Sequence, residues 1–218
     1  MFIKLLIVLT LLTGFAFPQL NFGVEGGLNF STGSTIMGYQ NTSIQQYAAG
    51  GFFEYMFAKS FFLVPGIRYS EKGVNFSPFN NPSGLPETKY TFNTIEIPVL
   101  LKYSYNAIPF RFSTFVGPYF GYIISAKRNE VAAGTTTKLG DFRKSDLGLT
   151  YGAGIGFELG NGLLEFQYKY STQFSSEIDK ATGFEIRNFN HFIGFAYILN
   201  ISGEPAVYTL SSGLPRKF

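Results

Sequence analysis

Along this chain apolar and polar residues alternate with a period of two in eight separate stretches. Each stretch carries one aliphatic or aromatic face and one face of glycine, hydroxyl, amide or charged residues. The alternation predicts strands over residues 20–30, 47–57, 61–69, 91–103, 110–124, 147–159, 163–171 and 189–199. In the seventh, Leu164, Phe166, Tyr168 and Tyr170 share one side, and Glu165, Gln167, Lys169 and Ser171 the other. The fourth sets Ile95, Ile97, Val99, Leu101 and Tyr103 against Thr94, Glu96 and Lys102. The sixth sets Leu149, Tyr151, Ala153, Ile155 and Phe157 against Thr150, Gly152, Gly154, Gly156 and Glu158. The second and eighth are ambiguous on both faces.

The connections between these strands run 16, 3, 21, 6, 22, 3 and 17 residues. Alternation of long and short predicts an antiparallel meander with loops gathered at one end and tight turns at the other. Ala58-Lys59-Ser60 and Gly160-Asn161-Gly162 are the tightest, the second supplied with residues that accept a left-handed backbone.

The same phase places Glu25, Glu54, Arg68 and Arg111 on the polar side, so no Asp, Glu, Lys or Arg within the eight spans has to lie on the apolar side. A charge-free apolar face of this extent suits lipid. Lipid in turn requires every backbone N–H and C=O to be paired inside the protein, so strands must close on themselves. The predicted fold is therefore all-β, an eight-stranded antiparallel up-and-down transmembrane β-barrel, with turns and both termini periplasmic and four long loops outside. Its interior would hold Glu25, Glu54, Glu96, Glu158 and Glu165 against Arg68, Lys102, Arg111 and Lys169. Eight strands leave room for little beyond side chains, and confined charges must pair, so this lumen network predicts a plugged barrel. A narrow charged channel or proton path is the functional alternative.

Composition narrows the rest. The 218 residues, with 14% charged, 18% aromatic and 25 Gly, suit one β-rich domain, and an aromatic-rich soluble ligand-binding barrel is the competing reading. Lys4, the apolar run Leu5 to Leu12, and small residues at Gly14 and Ala16 predict a signal peptide over 1–19, followed by the barrel over 20–200 and a periplasmic tail over 201–218. Zero Cys excludes disulfides and thiolate chemistry, and a single His makes a zinc site a poor fit. A net charge of +3 without a basic stripe gives no footprint for nucleic acid. No cofactor is implied.

Candidate chemistry is sparse. Gly152-Ala153-Gly154-Ile155-Gly156 is followed by no helical pattern, which argues for small inward residues and against a dinucleotide loop. Asn41-Thr42-Ser43 is formally a glycosylation sequon, without meaning in a bacterial barrel. His191 near the loop end of the last strand, with Ser175, Ser176 or Asp179, would make a rim acyltransferase or protease. Its parity, however, turns it outward, as for an interfacial ring. Asp141, Asp146, Glu177 and Asp179 are candidate oxygen ligands for Ca²⁺ or for a divalent bridge to lipopolysaccharide, too sparsely spaced for an EF-hand loop, and solvated loop charge is the competing reading. Residues 76–86, with Pro78, Pro82 and Pro86, read as a stiffened exposed loop.

The phrases Gly23-Val-Glu-Gly-Gly-Leu-Asn-Phe30, Pro65-Gly-Ile-Arg-Tyr-Ser-Glu-Lys-Gly73, Ile95-Glu-Ile-Pro-Val-Leu-Leu-Lys-Tyr103, Gly117-Pro-Tyr-Phe-Gly-Tyr122 and Gln167-Tyr-Lys-Tyr-Ser171 resemble the PorT-like family of outer-membrane barrel domains over nearly all of residues 20–200. Gly194-x-x-Tyr197-x-Leu199 looks like a barrel-assembly signal, with Phe192 where a polar residue is common. The resemblance implies a fold and a location, and one named relative belongs to a secretion system. No residue here carries that role over. The function expected is structural or recognitional, without catalysis. The expected partners are outer-membrane lipid, lipopolysaccharide and a protein at the outer loops or the tail; the alternatives are a secretion accessory and a rim enzyme using His191.

Overall fold

The computed structural model describes residues 19–33, 39–78, 87–130, 134–139, 144–174, 177–179 and 184–201. Among these every regular element is a strand: β1 (Leu20–Gly33), β2 (Tyr39–Thr42), β3 (Ile44–Ala58), β4 (Phe61–Pro78), β5 (Thr88–Ala107), β6 (Phe110–Glu130), β7 (Thr135–Lys138), β8 (Ser145–Leu159), β9 (Gly162–Gln173), β10 (Glu177–Asp179), β11 (Phe184–Ile186) and β12 (Asn188–Asn200). Eight are staves. β1, β3, β4, β5, β6, β8, β9 and β12 pair in antiparallel sequence, and β12 returns to β1 in register from Asn21↔Asn200 to Gly33↔Asn188, which closes the barrel. The expected signal peptide, apart from Gln19, and the tail beyond Ile201 lie outside the described residues.

Three tight turns close one end. Ser60 (φ 69°) and Gly160 (φ 61°) supply the left-handed backbone that a short reversal between twisted strands demands. Ile108 and Pro109 join β5 to β6, so this connection is shorter than the six residues expected from sequence.

Every stave found from sequence is present, but several are longer toward the loop end. β4 runs to Pro78, not to residue 69, and β6 to Glu130, not to 124. Phe76 and Pro78, assigned by sequence to an exposed loop, close β4, and Phe76 is fully buried; Pro82 and Pro86 lie outside the described residues.

The reason for the shortfall is an inversion of polarity. Below it, apolar residues face out and polar ones in: Ile67, Ile97 and Phe120 are 58%, 49% and 48% exposed, while Arg68, Glu96 and Ser113 are buried. Above it the pattern reverses. Val74, Phe76, Tyr90, Phe92, Ile123 and Ala126 turn inward and form an apolar cluster, while Asn75, Lys89, Thr91 and Lys127 lie on the outer face. An outer face that must be apolar in one zone and polar in the next marks where hydrocarbon gives way to water. Residues Phe112 to Tyr122 of β6 span about 26 Å along the barrel axis at a strand rise of about 3.4 Å and a tilt of about 40°, which matches the apolar band of such barrels.

One track across the wall is poor in hydrogen bonds. Pro65, Pro98 and Pro118 sit on three successive staves, and the pairing between β3 and β4, β4 and β5, and β5 and β6 skips two residue pairs beside each of them. Continuing the registers sets Pro65 opposite Phe53, Pro98 opposite Gly66 and Pro118 opposite Val99. With no N–H on the proline, the ladder cannot close there. Gly117 answers the last gap by close approach, since a Cβ at that position would lie 2.1 Å from the Val99 carbonyl oxygen. Amide exchange in a bilayer is therefore expected to be fastest, within the membrane-level wall, at residues flanking this track, such as Phe53, Ile67 and Leu100. Uniform protection by hydrogen–deuterium exchange, matching the unbroken β8–β9 ladder, would contradict this.

Candidate functional site

The inward face of the staves brings Glu25, Glu54, Arg68, Glu96, Lys102, Arg111, Glu165 and Lys169 into the lumen, each pointing in because it holds the same parity as its glycine and hydroxyl neighbours. Glu158 is different. It has the inward parity of β8 but stands beside the turn at the exposed barrel mouth, and it joins none of the ion pairs found among the described residues. Two charges that sequence reasoning placed elsewhere join the network. Lys72 lies three residues past the expected end of its strand. Asp146, read as a loop residue and a Ca²⁺ ligand, is buried at the start of β8. Continuing the parity of Arg68 and Ser70, or of Thr150 and Gly148, would have found both.

The charges form two groups. Nearer the turns, Lys102 Nζ lies 2.7 Å from Glu54 and 2.9 Å from both oxygens of Glu165. Arg111 reaches Glu54 at 3.5 Å and donates to Ser104 Oγ at 3.0 Å. Asn21 donates to Glu54, and Ser113 and Gln167 donate to Glu165. Two acids thus meet two bases. Nearer the loops, Arg68 donates to Glu96 through Nε at 2.8 Å and Nη2 at 2.6 Å, a fork that suits guanidinium better than ammonium. Lys72 Nζ lies 2.6 Å from Glu96 and 2.8 Å from Asp146. Glu25 receives Lys169 and faces Arg68 at 3.7 Å. Three acids meet three bases.

Apolar residues lie between and beside these groups. On β5, Leu100 falls between Lys102 and Glu96, and on β6 Phe115 falls between Ser113 and Tyr119. Both join Phe52, Phe62, Val64, Leu163 and Ile198 in one cluster. Rings also cover the cations: Phe62 lies 5.0 Å from the Arg111 guanidinium, Tyr119 4.6 Å from Lys72 Nζ, and Phe192 5.7 Å from Arg68. Phe192, the departure noted in the last strand, is thus an inward ring over two cations, Arg68 and Lys169. A cavity of about 20 Å³ lies between the groups, lined among others by Glu25, Arg68, Lys102 and Lys169. That holds roughly one water. Toward the loops follows a layer of amides and hydroxyls, with Asn29 donating to Ser70 at 2.8 Å, Thr150 meeting Ser171 at 2.8 Å, and Ser31 bonded to Asn190.

Outside the lumen, His191 shares the outward face with Ile193 and Phe195. Its Nδ1 lies 2.8 Å from Tyr168 Oη, and its ring meets Tyr170 edge-on with centroids 4.9 Å apart. Of its candidate partners, Ser175 and Ser176 lie outside the described residues and only the strand position of Asp179 is described; of the candidate Ca²⁺ ligands, Asp141 lies outside them and only the strand positions of Glu177 and Asp179 are described. No group of three or more His, Cys, Asp or Glu able to hold a metal ion occurs among the described residues.

The family model described as outer membrane protein beta-barrel domain matches residues 17–179, most of the chain. The chain belongs to that family. This outer-membrane barrel is also similar in fold to Neisserial surface protein A (11% identity, 82% of this chain and 96% of that one, TM-score 0.50) and to OprG of Pseudomonas aeruginosa (15% identity, 84% and 97%, TM-score 0.50). It is less similar to Ail, the attachment invasion locus protein of Yersinia pestis (15% identity, 83% and 99%, TM-score 0.43). No curated protein matches it. The family match stops before β12, so the strand that closes the barrel lies outside the matched span.

Proposed function

We propose that this outer-membrane barrel is a non-conducting scaffold that serves envelope structure or surface recognition, without catalysis, and that its kinship within the family is PorT-like. The observation that carries the reading is the lumen: two internally neutral charge groups, in which every ion faces an opposite charge, with apolar residues between them and an apolar cluster toward the loops. Buried ions held this way offset their desolvation only while every partner stays in place, which suits a permanent filling better than a path for solutes. The extended strands β4, β5 and β6, flanked by β2 and β7, supply a sheet beyond the membrane on which a surface partner would dock. A rim enzyme finds no support in His191, whose described neighbours are tyrosines on the lipid-facing side.

Purified barrel in planar bilayers of neutral lipid is expected to give no stable unitary conductance. Reproducible channel steps from the wild type, altered by changes in residues 125–146, would move the function to transport.

A further inference from the structure

Three lysines stand together on the outer face just above the polarity inversion. Lys127 of β6 and Lys138 of β7 are register partners, Thr91 of β5 pairs Lys127 from the other side, and Lys89 pairs Asn129, itself paired with Thr136. In-register residues on neighbouring strands project from the same side of a sheet, so Lys89, Lys127 and Lys138 share one surface with Thr91, Asn129 and Thr136. Like charges placed directly opposite destabilise a strand pair. None of the three lysines forms an ion pair among the described residues. Two described carboxylates on this side of the sheet have other partners, Glu71 in Tyr69 Oη and Glu87 in Asn75 and Ser77. Lys127 and Lys138 are both exposed. The pairing thus brings cations together, and among the described residues no carboxylate pairs with them.

Height identifies the occupant. Directly below on the same face of β6, Phe120, Tyr122 and Ile124 are 48%, 47% and 53% exposed to lipid. Lys127 stands three residues beyond Ile124, about 8 Å higher at the usual rise and tilt of such strands. Its flexible stem lets the ammonium reach down toward the boundary. That is the level of lipid headgroups in the leaflet on the loop side. Thr91, Thr136 and Asn129 share this face with the lysines, and their hydroxyl and amide groups add donors suited to phosphate oxygens.

We infer that Lys89, Lys127 and Lys138 form a phosphate site for the phosphorylated glycolipid headgroups of the outer leaflet. The inference rests on the outer-membrane scaffold reading and gives it a specific lipid contact. The charge of the headgroup would neutralise the Lys127–Lys138 pair and anchor the extended sheet at the membrane surface.

The test uses full-length protein folded into phosphatidylcholine nanodiscs that are plain, doped with bisphosphorylated lipid A, or doped with phosphate-free lipid A; retained lipid is measured by native mass spectrometry. Retention of bisphosphorylated lipid A is expected to weaken about fivefold for each of Lys89→Gln, Lys127→Gln and Lys138→Gln. Lys127→Arg should preserve it, and Lys59→Gln at the turn end should leave it unchanged. Equal retention by the triple Gln variant, or equal retention of phosphate-free lipid A, would overturn the site. So would inositol hexakisphosphate binding in detergent as tightly as lipid A, which would assign the lysines to a soluble polyanion. Folding in plain nanodiscs and their conductance report separately on the scaffold reading. Lys127→Arg and Lys138→Arg, which keep charge and strand, maintain the comparison if a Gln variant fails to fold.

Discussion

Lys102→Met is expected to destabilise the barrel by about 3–5 kcal/mol, because it removes the cation shared by Glu54 and Glu165 while leaving both carboxylates without solvent. Methionine nearly preserves the volume of the lysine stem, so the loss would report charge and not a cavity. Arg111 remains near Glu54 at 3.5 Å, but Glu165 would keep only neutral donors from Ser113 and Gln167. Adding Glu165→Gln should restore part of the loss, since the stranded charge is then gone, and a double-mutant cycle measures that coupling. Urea unfolding in bilayers gives the numbers. A single-mutant effect below about 0.5 kcal/mol would mean that water reaches this group and the lumen is not sealed.

Ile97→Arg is expected to cost about 2–4 kcal/mol in bilayers, the penalty for a cation near the middle of the lipid-facing band. Ile97 is 49% exposed on β5, between the inward Glu96 and Pro98, and sits below the polarity inversion. Thr91→Arg, also on the outward face of β5 but above the inversion, should be tolerated, because headgroups and water surround it. Folding-equilibrium titrations of the two variants check the contrast. If both were harmless, the apolar band would not be the membrane surface; if both were costly, the inversion would not mark its edge.

The sequence by itself determined the eight staves and their order, and the faces presented by those with several markers, the first, fourth, sixth and seventh. Two-residue periodicity and loop lengths are local properties of the chain, and lipid imposes on them a rule strict enough to read: Ile95, Ile97, Val99 and Leu101 must all face one way. Eight of the charges it sent inward are in the lumen. It did not reach Lys72 or Asp146, because the rule being read was an apolar outer face, and that rule lapses at the membrane edge just where β4 continues and β8 begins. Glu158 failed for the opposite reason: parity fixes direction but not height, and at the mouth an inward side chain meets water.

Only the tertiary structure decided which charge meets which. Strand tilt and register set Lys102 against Glu54 and Glu165, 48 and 63 residues away, and divided the charges into two neutral groups with Leu100 and Phe115 between them. It also aligned Pro65, Pro98 and Pro118 across three staves and placed Lys127 beside Lys138. Such juxtapositions depend on the stagger with which the barrel closes, a long-range quantity that no single strand encodes, whereas the alternation along each strand is written residue by residue.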